Sequence, residues 1–70
     1  MKLSARNTLP GIIRKIELGA VNAQVTIEVA PGINIVSIVT VDAVENLTLS
    51  EGKRAYAVIK ASSVMVGIDS

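Results

Sequence analysis

Two short polar clusters in this sequence combine the residue types that could hold an oxyanion. Residues 4–7 read Ser-Ala-Arg-Asn and residues 60–63 read Lys-Ala-Ser-Ser, so each joins a cation to hydroxyl or amide donors. Oxyanion capture needs such donors with few competing carboxylates, and neither cluster contains a carboxylate. In an extended segment Ser4 and Arg6 point the same way, because side chains alternate with a period of two. Simpler interpretations, a solvated terminal segment and an ordinary turn, remain open at this point.

Other kinds of chemistry have little support. The sequence contains no His and no Cys, which excludes imidazole bases, thiol nucleophiles, disulfides and His- or Cys-ligated metals. Of the six carboxylates only Asp42 and Glu45 have a spacing that could bring them together, and such pairs are usually solvated. The five glycines are scattered singly, so there is no phosphate-binding loop. We therefore expect neither an enzyme nor direct coordination of a metal ion.

Size and charge indicate a small oligomeric protein. A chain of 70 residues predicts one domain, residues 1–70. Seven Lys and Arg against six Asp and Glu leave a net charge of +1, which is too balanced for a general nucleic-acid or membrane-surface binder. A single core in a domain below about 70–80 residues rarely contributes more than about 3–5 kcal/mol of folding stability unless disulfides or a structural metal add to it. Since the sequence offers neither disulfides nor the common metal ligands, self-association is expected to supply the missing stability.

The pattern also indicates where the chain resides. No segment approaches the roughly 20 apolar residues of a membrane span. Residues 1–3 resemble the start of a signal peptide, but Arg6, Asn7 and Pro10 interrupt the apolar region that would follow. A cytoplasmic location is the expectation.

Turn residues cut the chain into short segments, as in an all-β barrel. Residues 12–18, 23–30, 34–41, 54–60 and 64–66 are predicted as strands, with Pro10-Gly11 and Pro31-Gly32 among the turns. Apolar residues alternate cleanly in the second strand and occupy both faces of the third, which predicts a covering layer on each side. A helix of one or two turns follows, capped by Thr40 or Asp42. The expected fold is a five-stranded, OB-like Greek-key barrel with one short helix.

An OB fold leaves two competing functions. Binders of single-stranded nucleic acid usually need stacking aromatics and a basic groove, and Tyr56 is the one aromatic residue here. A structural or interaction module without a ligand is the other alternative, which a ligand-independent oligomer with no response to anions would favour.

Residues along the whole chain resemble the molbindins, small Mop proteins that bind molybdate. The resemblance is carried by residues 4–7 with the following Leu-Pro-Gly, by 37–44 (Ser-Ile-Val-Thr-Val-Asp-Ala-Val), by the turn at 49–52 and by 57–65. It implies an OB-like barrel, a homohexamer built as a trimer of dimers, and sites at subunit interfaces. The implied role is intracellular storage or buffering of molybdate.

The resemblance also implies a set of site residues. The expected molybdate ligands are Ser4, Arg6, Thr40, Lys60, Ala61 and Ser62, and a possible second site involves Asn7, Gly19, Ala20, Val21 and Ser37. Arg6 and Lys60 would supply two positive charges against a tetrahedral dianion. Tungstate is almost the same size and should also bind, whereas smaller sulfate would fit a rigid cage poorly. Pro10 departs from the family pattern and removes one backbone donor.

Overall fold

Strand β1 organises the molecule, because it pairs with two different strands along its length. The structure is a computed structural model, and it describes residues 4–69. Its elements are β1 (Asn7–Leu18), β2 (Asn22–Ala30), β3 (Ile33–Thr40), α1 (Val41–Asn46) and β4 (Arg54–Ile59), followed by a 3-10 turn at Ala61–Ser63. The strands form one antiparallel sheet in the order β3-β2-β1-β4. Because β4 and β2 pair with different halves of β1, the sheet curls into an open half-barrel.

The change of partner occurs at Gly11 and Ile12. Residues from Asn7 to Ile12 pair with β4, and those from Ile12 to Leu18 pair with β2. A Cβ on Gly11 would lie 2.5 Å from the backbone oxygen of Glu28, so only glycine lets the two backbones approach this closely. A register shift between Ile13 and Lys15 marks a β-bulge, which bends β1 further.

The Pro10-Gly11 dipeptide therefore lies inside a strand, and the expected turn there is wrong. Pro10 pairs with Tyr56 of β4, and β2 begins to pair with β1 only at Ile12. Proline is tolerated in such a place, because the strand has a neighbour on one side only. The first strand accordingly begins at Asn7, earlier than the expected residue 12.

The core is small and lies on the concave side of the sheet. Its buried members are Ile13, Ala23, Val25, Ile27, Val44 and Ala57. The alternation predicted for the second strand is confirmed by the inward-facing residues of β2. In β3, Ile35 and Val39 pack against this core, whereas Val36 and Ile38 on the other face are more than half exposed. The covering layer expected on that face is thus not supplied by the described chain itself.

Helix α1 confirms the predicted helix and decides between its two candidate caps. Thr40 is the N-cap, since its Oγ1 accepts a hydrogen bond from the Ala43 N–H at 3.0 Å, while Asp42 lies in the first turn. Val44 turns into the core. At the other end, Lys53 Nζ donates to the carbonyls of Leu47 and Thr48 at 3.2 and 2.8 Å. The helix thus closes one end of the half-barrel.

The expected all-β class with one short helix is confirmed, but the fifth strand is wrong for this chain. Among residues 4–69 the sheet has four strands, and residues 64–66 lie outside them. A strand needs a neighbour for its backbone hydrogen bonds, and this segment finds none within the described chain. The barrel is consequently left open between β3 and β4.

Within the described residues, no helix combines the length and hydrophobicity needed to cross a lipid bilayer. The expectation about a signal peptide at residues 1–3 lies outside the part of the chain that the structure describes.

Candidate functional site

The two polar clusters meet at one end of the sheet. Asn7 pairs with Ile59 and Thr8 pairs with Val58 in the antiparallel ladder between β1 and β4. Arg6 immediately precedes Asn7, and Lys60 immediately follows Ile59. The register of this ladder therefore brings the cluster at residues 4–7 beside the cluster at residues 60–63, although they are far apart in sequence.

Most side chains of these clusters are open to solvent. Ser4, Arg6, Lys60, Ala61 and Ser62 are exposed, and Asn7 is half-buried at the first position of β1. The 3-10 turn is closed by hydrogen bonds from Ser63 N–H to the Lys60 carbonyl (2.8 Å) and from Val64 N–H to the Ala61 carbonyl (3.3 Å). The first N–H groups of such a turn have no partner within it. Ala61 and Ser62 can therefore offer backbone donors beside the Lys60 ammonium.

Two of the carboxylates form ion pairs with other cations of the sheet. Arg14 at the bulge pairs with Glu28 of β2 at 3.0 Å. Lys15 pairs with Glu17 at 2.7 Å, and the hydrogen bond to that carboxylate raises the pKa of the Lys15 ammonium. Among residues 4–69, no carboxylate lies within 4.0 Å of the charged groups of Arg6 or Lys60. These two cations are thus available to an external anion.

The Glu28 carboxylate also ties the strand end to the following turn. Besides the Arg14 guanidinium, it accepts a hydrogen bond from Gly32 N–H at 3.3 Å. The hydrogen bond from Arg14, followed by the one from Gly32, lowers the pKa of this carboxyl from its usual 4.5. This clamp holds β1 and β2 together at the point where β1 bends.

Thr40 belongs to a second group at the opposite end of β1. It pairs with Asn22 at the start of β2, and the next residue, Val41, donates from N–H to the Val21 carbonyl at 2.8 Å. The β1–β2 turn lies here too, closed by Gly19 N–H donating to the Asn22 carbonyl at 2.8 Å. The 12-residue β1 separates this group from Arg6 and Lys60. A single chain therefore does not bring Thr40 into one site with those cations.

The two groups divide nearly all of the candidate residues. At the first end lie Ser4, Arg6, Asn7, Lys60, Ala61 and Ser62, and at the second end lie Gly19, Ala20, Val21 and Thr40. The Thr40 hydroxyl accepts the capping hydrogen bond, so its own hydrogen remains free to donate. Ser37 lies apart from both groups, half-buried in the middle of β3.

Ser37 instead lines an apolar groove between the two edge strands. The groove has a volume of about 360 Å³ and runs between β3 and β4, with Val39, Tyr56 and Val58 in its walls. Sequence reasoning missed this feature. The exposed apolar residues Tyr56 and Val58 of β4 were the available signal, since exposed apolar side chains that recur along a strand are typical of a binding surface.

No metal-binding cluster of three or more His, Cys, Asp or Glu residues is present in residues 4–69. The donors that the structure brings together are cations, hydroxyls and backbone N–H groups, which suit an oxyanion and not a bare metal cation.

Known proteins resemble this chain in both sequence and structure. Residues 3–66 match the TOBE domain family. The probable molybdenum-pterin-binding protein of Haemophilus influenzae is 52% identical over 69 residues, covering 99% of this chain and 100% of that relative. MopII from Clostridium pasteurianum, in an apo form, superimposes with a TM-score of 0.89 at 40% identity, covering 96% of this chain and 100% of that one.

A third similar structure contains the anion itself. ModG, described as a cytoplasmic molybdate-binding protein and solved with molybdate bound, gives a TM-score of 0.92 at 51% identity, covering 99% of this chain and 49% of ModG. Sequence identity, fold and coverage all point to the same family. The chain therefore belongs to the TOBE-domain family and, within it, to the molbindins.

Proposed function

We propose that this protein binds molybdate, and tungstate as its analogue, and that it stores or buffers the anion in the cytoplasm. Residues 1–70 form a single binding domain in this proposal, and the role is binding and not catalysis. The relatives named for molybdenum-pterin or molybdate binding support it. The observation that carries the proposal is the meeting of Arg6 and Lys60 at one sheet end without a carboxylate partner in residues 4–69.

The charge of this sheet end matches the anion. Molybdate at neutral pH is a tetrahedral dianion with four acceptor oxygens, and the two cations supply the opposite charge. Hydrogen bonds to charged groups contribute about 1.5–3 kcal/mol each. Five or six of them, from Ser4, Arg6, Lys60, Ala61 and Ser62, would reach the roughly −8 kcal/mol of micromolar binding after ordering costs.

A complete site requires more than one copy of the chain. Thr40 is at the far end of β1 from Arg6 and Lys60, so a site containing all of them takes Thr40 from another subunit. The exposed apolar residues Val36 and Ile38 and the small core favour the same conclusion. The proposed assembly is a homohexamer arranged as a trimer of dimers, with Gly19, Ala20, Val21, Asn7 and Ser37 as candidates for a second kind of site.

A calorimetric titration with molybdate, with and without excess sulfate, tests this function. Tight binding that survives sulfate is the expected result, because donors spaced for the larger anion fit sulfate poorly. Binding that sulfate abolishes would reduce the site to a generic oxyanion pocket, and no heat at all would favour a structural module without a ligand. Titration with tungstate should give a similar affinity.

The ligand-free alternatives are tested in the same samples. Sedimentation at micromolar concentration should give an oligomer, and a monomer would contradict the assembly. Retention of a fluorescent single-stranded oligonucleotide would favour the nucleic-acid alternative, which the lack of stacking aromatics opposes.

A further inference from the structure

Helix α1 is too short to keep its shape alone, so its surroundings must fix its position. It has six residues, and an isolated helix of that length is marginal in water even for good helix formers. Its anchors include the Thr40 cap at the N-terminus, Val44 in the core and the Lys53 side chain at the C-terminus. The lysine differs from the other two, because it comes from the turn that precedes β4.

The Lys53 ammonium lies against the C-terminus of the helix. Its Nζ donates to the carbonyl oxygens of Leu47 at 3.2 Å and Thr48 at 2.8 Å. The last carbonyls of a helix have no partner within it and form the negative end of its dipole. Thr48 also has a positive φ of 54°, which is unfavourable for a β-branched residue. The ammonium therefore holds in place a helix end whose own backbone is strained.

The backbone of the same turn is fixed to β1. Ile13 N–H donates to the Lys53 carbonyl at 2.9 Å, and Gly52 N–H donates to the Ile13 carbonyl at 2.8 Å. Glu51 adds a third bond, since its carboxylate accepts from Ile16 N–H at 3.3 Å, just beyond the bulge. Ile13 is itself fully buried in the core. One side chain, that of Lys53, thus links the fixed middle of β1 to the end of α1.

We propose that Lys53 is a positioning residue for the anion site and acts through α1 on the Thr40 hydroxyl. Thr40 caps the N-terminus of the helix that Lys53 holds at its C-terminus, so a shift of the helix moves the hydroxyl relative to the sheet. Groups of a binding site must stay within about 0.5 Å of their productive positions. The inference rests on the proposed function, in which Thr40 is an anion ligand.

The contacts of Lys53 indicate an indirect role. An ammonium has three donors, and two of those on Lys53 are directed at helix carbonyls. Its effect on an anion is therefore expected to come from where it places the helix and not from a bond to the anion. A positioning role also differs from simple attraction by charge, because another cation that keeps the two carbonyl contacts should replace the lysine.

Hydrogen exchange tests the mechanical part of the proposal without any anion. The Ala43 N–H donates to Thr40 Oγ1 at 3.0 Å, so its exchange rate reports on the cap. In Lys53→Met this amide should exchange faster than in the parent, because a looser helix opens more often. Lys15→Met is the matched control, since it removes the same charge from an exposed lysine that pairs with Glu17 on its own strand. Unchanged exchange at Ala43 in Lys53→Met would overturn the proposal.

Calorimetry with molybdate, well below the melting temperature of every variant, tests the effect on the site. Lys53→Met should lose about two- to tenfold in affinity, the range expected for a residue that acts without touching the ligand. Lys15→Met should bind like the parent, and Lys53→Arg, which keeps a donor cation at this place, should retain most of the affinity. Parent-like binding by Lys53→Met would overturn the proposal and leave the proposed function standing, whereas no binding by the parent would overturn both.

A double variant separates positioning from a general loss of stability. If Lys53 acts through Thr40, Lys53→Met should weaken binding little further once Thr40→Ala has removed the hydroxyl. Full multiplication of the two losses of affinity in the double variant would overturn the route through Thr40. Thermal unfolding of the same proteins shows the separate cost to stability, which a merely structural role would change without this dependence of affinity on Thr40.

Discussion

The two ends of β1 differ in what they offer an anion. The end at Asn7 carries Arg6 and Lys60, and no carboxylate of residues 4–69 pairs with either cation. The end at Leu18 carries the Thr40 hydroxyl and a backbone turn, with Asp42 in the first turn of α1 beside it. The first end supplies positive charge that attracts an anion, and the second end supplies uncharged hydrogen-bond donors. In the proposed oligomer a complete site combines them from different subunits, so affinity should depend far more on the first end.

The largest effect should come from removing the cations. Arg6→Ala and Lys60→Ala should each weaken molybdate binding more than tenfold, because each deletes charge-assisted hydrogen bonds worth about 1.5–3 kcal/mol. Calorimetry measures this, with thermal unfolding to confirm an intact fold. Arg54→Ala is the matched control, since Arg54 is also exposed on β4 but lies at the other end of that strand. Unchanged affinity in both cluster variants would contradict the assignment.

Gly11→Ala tests the close approach of β1 and β2 at the point where β1 changes its pairing partner. The new Cβ would lie 2.5 Å from the Glu28 backbone oxygen and 2.8 Å from Ile27 Cγ2. Such overpacking costs about 1–3 kcal/mol, and each kcal/mol lowers the Tm of so small a domain by about 4–8 °C. Gly67→Ala, where a Cβ would meet nothing within 4 Å, should leave the melting temperature nearly unchanged. Equal melting curves for the two variants would show that β1 and β2 tolerate wider spacing.

Thr40→Ala probes the neutral end, where a smaller effect is expected. Loss of the hydrogen bond from Ala43 N–H to Thr40 Oγ1 should cost about 1 kcal/mol of stability. Molybdate affinity should fall by less than in the Arg6 and Lys60 variants, since no charge is removed. Thr40→Ser keeps both the cap and the hydroxyl and should restore both properties. A loss of affinity as large as that of Lys60→Ala would remove the distinction between the two ends.

Glu28→Gln gives the smallest expected change, and it depends on pH. Because Arg14 and Gly32 lower the pKa of Glu28 below 4.5 in the folded protein, the ionised carboxylate stabilises the fold at pH values above 4.5. That contribution disappears as the pH falls through the lowered pKa. The melting temperature of Glu28→Gln should therefore fall less than that of the parent when the pH is lowered from about 6 to about 3. Glu45→Gln, at an exposed helix position, is the control and should follow the parent.

Much of the fold was predictable because local patterns agree with the final structure. The alternation in β2, the strand character of β3 and β4, and the short helix with Thr40 as one of its two candidate caps all arise from side-chain chemistry within a few residues. The start of β1 was mispredicted because Pro10 and Gly11 favour turns locally. Their actual role depends on partners distant in sequence, namely Tyr56 and the Glu28 backbone.

The same division applies to the candidate site. The residue types at positions 4–7 and 60–63 already indicated an oxyanion, since they pair cations with hydroxyls and include no carboxylate. That the two clusters adjoin follows only from the ladder that pairs Asn7 with Ile59. The separation of Thr40 from them likewise follows from the strand order, which no spacing along the chain specifies.

The sequence by itself determined the strand periodicity, the short helix with its two candidate caps, the absence of His and Cys chemistry and the two anion-compatible clusters, because each depends on residue type and short spacing. The tertiary structure alone decided that β1 spans both halves of the sheet, that the clusters share one end, that Thr40 lies at the other, and that the barrel stays open. These features depend on which strands pair and in what register. Strand pairing is decided by which arrangement buries the apolar faces of all the elements together. A chain this small cannot bury all of those faces within one copy.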